Sequence, residues 1–353
     1  MASSRDNAAR IHHRGLVIGV DIGGTKVAAG VVTPGGRILA RDRAETPDRS
    51  KSPKVVEDTI VEVVERLRRA YPVRAVGVGA AGFVDEQRAT VLFAPHLSWR
   101  DEPLREALRS RIQLPVVVEN DANAAAWAEA RVGAGREAAD TVVVNLGTGI
   151  GGAVVIGGEL YRGRHGMAGE FGHMTVVPGG LRCECGNRGC WEQYASGNAV
   201  TREARELAAA DSPVARGLIA AVAGTPSLIT GSLVSELARS GDMACVELLE
   251  EAGGWLGLGL ANLAAAFDPD LFVIGGGVSQ SGELLLEPAR RAFRRTLTGR
   301  GHRPEPRIVS AELGNEAGLI GAADLARDAL PRWRQGRRQR RIGSAARIRG
   351  RSR

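Results

Sequence analysis

Three of the four cysteines in this 353-residue chain, Cys183, Cys185 and Cys190, fall within eight residues, and His173 stands ten positions before the first of them. Three thiolates and one imidazole make a closed tetrahedral shell, the donor set that structural zinc takes. Gly186 and Gly189 let the chain bend sharply enough to bring Cys185 and Cys190 back to one metal. The alternatives are a disulfide or inert buried thiols. A Cys183–Cys185 bridge is sterically awkward, and nothing in the sequence marks an oxidising compartment. The expected ligands are therefore His173, Cys183, Cys185 and Cys190.

Glu170 and Glu192 flank these ligands. If one imidazole nitrogen of His173 binds a metal, the other carries a proton and donates in a fixed direction. A hydroxyl lying between that donor and two carboxylates is gripped from several sides, which suits a sugar, whose hydroxyls both donate and accept. The alternative is that both glutamates are solvated loop residues.

A second chemistry lies at the ends of apolar runs. Leu16–Val20 leads to Asp21 and then Gly23-Gly24-Thr25-Lys26; Val116–Val118 leads to Glu119-Asn120-Asp121. Glycine turns with a threonine hydroxyl offer backbone N–H groups to an anion, because glycine allows close approach. This is not the P-loop, which needs a GxxxxGK[ST] run opening a helix. Thr141–Asn145 repeats the device with Gly147-Thr148-Gly149, and Leu271–Ile274 runs into Gly275-Gly276-Gly277, a bare turn on which a flat base or ribose could lie. Asp121 also reads as a helix N-cap, because Ala122 onward is helical in pattern.

The elements that must position these residues follow the order β-β-β-α-β-α-β-α, which predicts mixed sheets carrying helices. Helices are expected over Val55–Arg69, Pro103–Arg111, Ala122–Val132, much of Val200–Phe267, Leu284–Leu297 and Asn315–Leu330. The strand Ala75–Ala80 leads to the Gly82 loop, and Leu92–Trp99 reads as a loop lining a cleft. Ligands of open α/β sheets lie at the carboxyl ends of strands, where Asp21 and Asp121 both fall, which places two acids in one crevice.

Composition narrows the class. Hydrophobic residues at 44% and 47 glycines fit a soluble, turn-rich α/β protein of two domains. No apolar run approaches the roughly 20 residues of a membrane span, and Met1–Gly15 lacks the apolar core of a signal peptide. The expected location is the cytoplasm. Of the net charge of +7, ten arginines lie between Arg332 and Arg353 without a single acid, so the rest of the chain is mildly acidic. Such a tail is expected to be solvated and disordered, with weak affinity for polyanions and no specific nucleic-acid fold. Cys245, within a helical pattern, is expected in the core.

Asp21-Ile-Gly-Gly-Thr-Lys, Glu119-Asn-Asp, Asn145-Leu-Gly-Thr-Gly, Glu170-Phe-Gly-His and Cys183-x-Cys-Gly-x-x-Gly-Cys-Trp-Glu together resemble the ROK family of sugar kinases and repressors. The likeness spans roughly Leu16–Leu330 and is strongest to the ATP-dependent glucokinases of actinobacteria. It implies the actin-like, hexokinase-type ATPase fold, with two lobes, mixed sheets and a central cleft. The implied division is a disordered segment 1–15, a smaller domain 16–125 completed by the helix 315–330, a larger domain 126–314 with the zinc cassette, and the disordered tail 331–353.

The resemblance also implies roles. Asp121 is the base that takes the proton of the sugar 6-hydroxyl. Asn120, Glu170, His173 and Glu192, with Gly82, hold the rest of the sugar. Gly23, Gly24, Thr25 and Lys26 embrace the ATP phosphates with Gly147, Thr148 and Gly149, and Asp21 lies near Mg2+. Gly275, Gly276 and Gly277 lie beside adenosine. His173, Cys183, Cys185 and Cys190 bind structural Zn2+, so His173 serves both metal and sugar. A homodimer or homotetramer is implied as well. One residue departs from the pattern: Ala94-Pro95-His96 stands where related glucokinases commonly read Ala-Pro-Asn, which bears on sugar selectivity rather than on the chemistry. The rival readings are a kinase for mannose, fructose or an N-acetylated hexosamine, and a sugar-sensing regulator. Only about fifteen residues precede the first strand, too few for a helix-turn-helix unit.

Overall fold

The computed structural model describes residues 15–330. The first fourteen residues and the segment 331–353 lie outside the described residues, and with them the expectations for a disordered N-terminus and an Arg-rich tail. The described chain divides into two compact units: residues 15–128, 163–167 and 316–330 form one, and residues 129–162 and 168–315 the other. Among the described residues no helix is long and apolar enough to cross a membrane.

The first unit is built on a five-stranded sheet. In spatial order it runs β3 (Ile38–Glu45), β2 (Lys26–Val32), β1 (Val17–Ile22), β4 (Val76–Ala80) and β8 (Val116–Asn120). β1–β2 and β2–β3 are antiparallel, whereas β4 and β8 join parallel. The central strands are apolar along nearly their whole length because both sheet faces are covered. On one face, the helix α1 (Pro53–Arg68) buries Val56, Ile60, Val63, Val64 and Leu67. It begins at Pro53 itself, two residues before the expected start, since a proline fits the first helical turn. The helix α2 (Leu104–Ile112) precedes β8, and α3 (Asp121–Val132) follows it. The helix 317–330 packs on the same sheet where Gly19 and Gly77 bare the backbone: a Cβ on Gly77 would lie 1.7 Å from the Ala322 carbonyl oxygen.

Residues 94–99 form a loop, as expected, but Leu92 and Phe93 before it belong to the strand β6 (Val91–Phe93), which pairs with β5 (Phe83–Val84) and β7 (Arg100–Glu102), and Trp99 is fully buried. The Arg100 guanidinium donates from Nη1 to the carbonyls of Ala94, Leu97 and Trp99 and stacks 4.2 Å from the Phe93 ring centre, closing the chain on itself.

The second unit repeats the arrangement: β11 (Glu159–Tyr161), β10 (Ile150–Ile156), β9 (Thr141–Leu146), β12 (Leu271–Gly275) and β13 (Arg307–Ser310). Here too the first three strands are antiparallel and the last two parallel. The two similar glycine turns thus occupy equivalent hairpins, β1–β2 and β9–β10. Between β11 and β12 come the short helices α4 (Glu192–Ala195), α5 (Gly197–Ala209), α6 (Arg216–Ala221) and α7 (Gly231–Arg239). The 25-residue helix α8 (Met243–Phe267) then crosses this core; Cys245 is buried within it, as expected.

Candidate active site and metal centre

In the first unit, Asp21 is the penultimate residue of β1. The turn after it is closed by the Gly23 N–H donating to the Lys26 carbonyl at 3.0 Å and by Thr46 Oγ1 donating to the Gly23 carbonyl at 2.8 Å. Burial pushes the Asp21 carboxyl above the usual range, with the Lys26 charge opposing. A partly desolvated carboxylate beside a glycine turn is suited to a cation that accompanies phosphate. His96, on the β6–β7 connection, lies with its Cβ 3.3 Å from where a side chain of Gly24 would begin.

β8 runs without a break into α3. The cap of that helix is Asn120, whose Oδ1 accepts the Asn123 N–H at 2.9 Å; the expectation that Asp121 caps it is corrected. The Asn120 amide donates to Asp121 Oδ1 and to the Gly82 carbonyl, each at 3.1 Å. Asn120, Asp121 and Gly82 therefore form one hydrogen-bonded group.

In the second unit, a 3-10 turn, Phe171–His173, presents His173 after Phe171 has been buried. The ligand atoms of His173, Cys183, Cys185 and Cys190 all lie within 4.8 Å of one another. His173 Nδ1 is 3.7 Å from Cys183 Sγ, and the Sγ atoms of Cys185 and Cys190 are 3.6 Å apart, without a disulfide. Those spacings match the edges of a tetrahedron built on Zn–S bonds of about 2.3 Å, so the donor set fits zinc. Since Nδ1 faces the cluster, Nε2 is the nitrogen left to donate. Burial raises the thiols of Cys183 and Cys190, while a backbone hydrogen bond from Asn187 lowers that of Cys185; a divalent cation overrides such differences by holding all three as thiolates.

Trp191 fastens this cassette to the core. Its ring is fully buried, its Nε1 donates to the Trp255 carbonyl at 2.8 Å, and Gly259 of α8 makes room for the indole. Glu192 links the cluster to the end of the Gly147–Gly149 turn: Cys183 Sγ donates to its Oε1 at 3.0 Å, and its Oε2 accepts from the Ile150 N–H at 3.4 Å. Glu170 is exposed as a residue, yet desolvation still raises its carboxyl; His173 nearby opposes the shift and Glu192 adds to it.

The three glycines at the end of β12 do not share one role. Gly275 ends the strand, and a Cβ there would meet Asn145 Oδ1 at 2.4 Å; Gly276 has φ +86° and lies against the Leu146 backbone; Gly277 alone borders open space. Gly147 also borders open space, beside Thr148 and Gly149, and its N–H donates to the Gly149 carbonyl at 3.0 Å.

Two residues have no role that the sequence assigns. Glu119, within β8, is 2% exposed, and its Oε2 lies 3.3 Å from Arg88 Nε. A carboxylate in an otherwise apolar strand is the signal for a buried partner; nothing in the sequence singles out Arg88.

The sequence profile of the ROK family matches residues 17–329. The chain is 50% identical over 317 residues to a glucokinase of Streptomyces coelicolor, covering 90% of this chain and 99% of that protein. It is 28% identical to the xylose repressor of Bacillus subtilis, covering 89% of this chain and 77% of that protein. Among solved structures, a ROK family glucokinase from Streptomyces griseus in complex with glucose and AMPPNP superposes with a TM-score of 0.80 at 52% identity, covering 89% of this chain and all of that one. With a profile match across nearly all described residues, the chain belongs to the ROK family.

Proposed function

We propose that this protein is a glucokinase: it transfers the terminal phosphoryl group of ATP to the 6-hydroxyl of glucose, with Asp121 as general base. The observation that carries the reading is the division of labour at the head of α3, where Asn120 caps the helix and orients Asp121. The half-identity to a Streptomyces glucokinase over nearly its full length, and the likeness to a ROK family glucokinase solved with glucose and AMPPNP, support the substrate pair.

Phosphoryl transfer passes through a loose transition state, so positioning and charge stabilisation dominate. Asp121 accepts the hydroxyl proton as the new O–P bond forms. Asn120, Gly82, Glu170, His173 and Glu192 hold the sugar, with His173 Nε2 donating to one hydroxyl. The turns Gly23-Gly24-Thr25-Lys26 and Gly147-Thr148-Gly149 present N–H groups to the phosphates, and Gly277, supported by Gly275 and Gly276, flanks the adenosine. Asp21 is the group suited to Mg2+, which when bound neutralises phosphate charge. His173, Cys183, Cys185 and Cys190 would hold zinc, which with four protein ligands stiffens the sugar loop and supplies no Lewis acid.

We keep the functional division drawn from the sequence, 16–125 with 315–330 against 126–314. We also propose a cytoplasmic homodimer or homotetramer, on family likeness, testable by sedimentation. The deciding experiment is ADP release with glucose, mannose, fructose and N-acetylglucosamine, each with ATP and with polyphosphate as donor. Turnover highest with glucose and ATP is expected; a zinc-replete protein inert towards every sugar overturns the reading.

A further inference from the structure

We propose that Arg88 and Glu119 form a buried relay that positions the Asn120–Asp121 couple, so that the pair governs turnover rather than sugar binding. The inference rests on the assignment of Asp121 as base.

Glu119 lies in β8 opposite Gly79, a residue without a side chain, and is almost wholly buried. A carboxylate in such a place is tolerated only when its oxygens are engaged. Here Oε1 accepts from the Asn120 N–H at 3.2 Å and from Asn123 Nδ2 at 3.1 Å, while Oε2 faces Arg88 Nε at 3.3 Å. One carboxylate thus restrains the cap residue Asn120 through its backbone, and it restrains Asn123, the residue whose N–H Asn120 caps.

Arg88 is delivered by the β5–β6 hairpin. Its backbone is left-handed, with φ +57°, a region that arginine seldom adopts. The turn is held by Asp85, whose Oδ1 accepts from the N–H groups of Ala89 and Thr90 at 2.7 and 3.1 Å. The Arg88 carbonyl accepts from the Val118 N–H at 3.4 Å, so backbone and side chain both clasp β8. The same hairpin begins beside Gly82, whose carbonyl takes the Asn120 amide. Asn120 is therefore fixed from two directions.

The consequence follows from the hydrogen-bond inventory of Asn120. Its Oδ1 is engaged by the helix, and its two amide hydrogens by Gly82 and Asp121. Any slack in its backbone moves the Asp121 carboxylate directly. A misplacement of about 1 Å at a reacting group can cost on the order of a hundredfold in rate, whereas a sugar held by many hydroxyl contacts is less sensitive to one of them.

The test compares Glu119→Gln, Arg88→Met and the double variant with the parent, reading kcat, glucose KM and equilibrium glucose binding without nucleotide, all per folded protein. Each single variant is expected to lose about tenfold or more in kcat while glucose binding stays within about threefold. Glu119→Gln sets an amide donor against the guanidinium. In the double variant that clash is gone, and the amide carbonyl that Glu119→Gln introduces can still accept from Asn120 and Asn123, so kcat should recover by about fivefold over either single variant. If a single variant does not fold, Arg88→Lys, which keeps the charge but not the fixed Nε, is read for the same split. Single variants within about twofold of the parent kcat, a glucose KM that rises in step with the loss of kcat, or a double variant no better than the singles overturns the relay. The parent's own turnover tests the glucokinase reading; the relay stands or falls on the ratios to it.

Discussion

The side-chain amide of Asn120 donates across 3.1 Å to Asp121 Oδ1, and on its other side the same residue caps the helix that Asp121 begins. Helix initiation thus falls to Asn120, and the acid–base role proposed above falls to its neighbour. Asp121→Asn should lower kcat by roughly 10²–10⁴-fold, the usual worth of general-base help. Because the cap is untouched, the melting temperature should change little and glucose should still bind. Steady-state kinetics alongside calorimetry checks this; a kcat within a few-fold of the parent would remove Asp121 from the mechanism.

Asn120→Ala should behave differently. It removes the acceptor of the Asn123 N–H, which typically costs about 1 kcal/mol, and it frees the Asp121 carboxyl to swing. Stability and kcat should fall together, and chemical denaturation with activity assays on the same samples shows whether they do.

The cluster of His173, Cys183, Cys185 and Cys190 predicts one zinc per chain. Cys185→Ser, at the most exposed ligand, should lower the zinc content, raise glucose KM and reduce thermal stability. Atomic emission on the purified protein, with melting curves before and after chelation, reads the metal independently of turnover. A metal-free protein with unchanged glucose affinity would sink the stiffening role.

Trp191→Ala should be among the most damaging single changes in the second unit. It empties a fully buried indole site between the cassette and α8 and removes the bond to the Trp255 carbonyl. Large-to-small changes of this kind cost about 3–5 kcal/mol. Denaturant melts should show that loss, with zinc release at lower denaturant than in the parent.

A pH prediction comes from β3. The Arg66 guanidinium of α1 bonds both oxygens of Asp42 and holds its carboxyl below the usual carboxylate range. A depressed folded pKa contributes stability that is present above the ordinary carboxylate value and is lost as pH falls through the folded one. Both partners are partly solvated, so the effect should stay below about 1 kcal/mol. Asp42→Asn should therefore lower stability slightly at neutral pH and flatten its decline as pH falls below about 4, as followed by urea melts.

Much of the architecture was legible from local chemistry. Val17–Ile22 and Thr141–Leu146 are strands because their apolar runs are too short and too β-branched for helices, and the repeated glycine turn announces two equivalent hairpins. The metal cluster was readable because a donor set within a few residues needs only local turns to close. Asp21 and Asp121 were visible as acids ending apolar runs. Tertiary structure decided what depended on partners distant in sequence. It made Asn120 rather than Asp121 the cap, because only the real strand-to-helix junction shows which side chain reaches the Asn123 N–H. It buried Trp99 in a segment that reads as loop, because Arg100 folds back on its carbonyls. It gave Gly275 and Gly276 packing duties against β9. Above all it brought Arg88 to Glu119: a sequence records that a buried carboxylate needs a cation, but only the folded chain selects which one arrives.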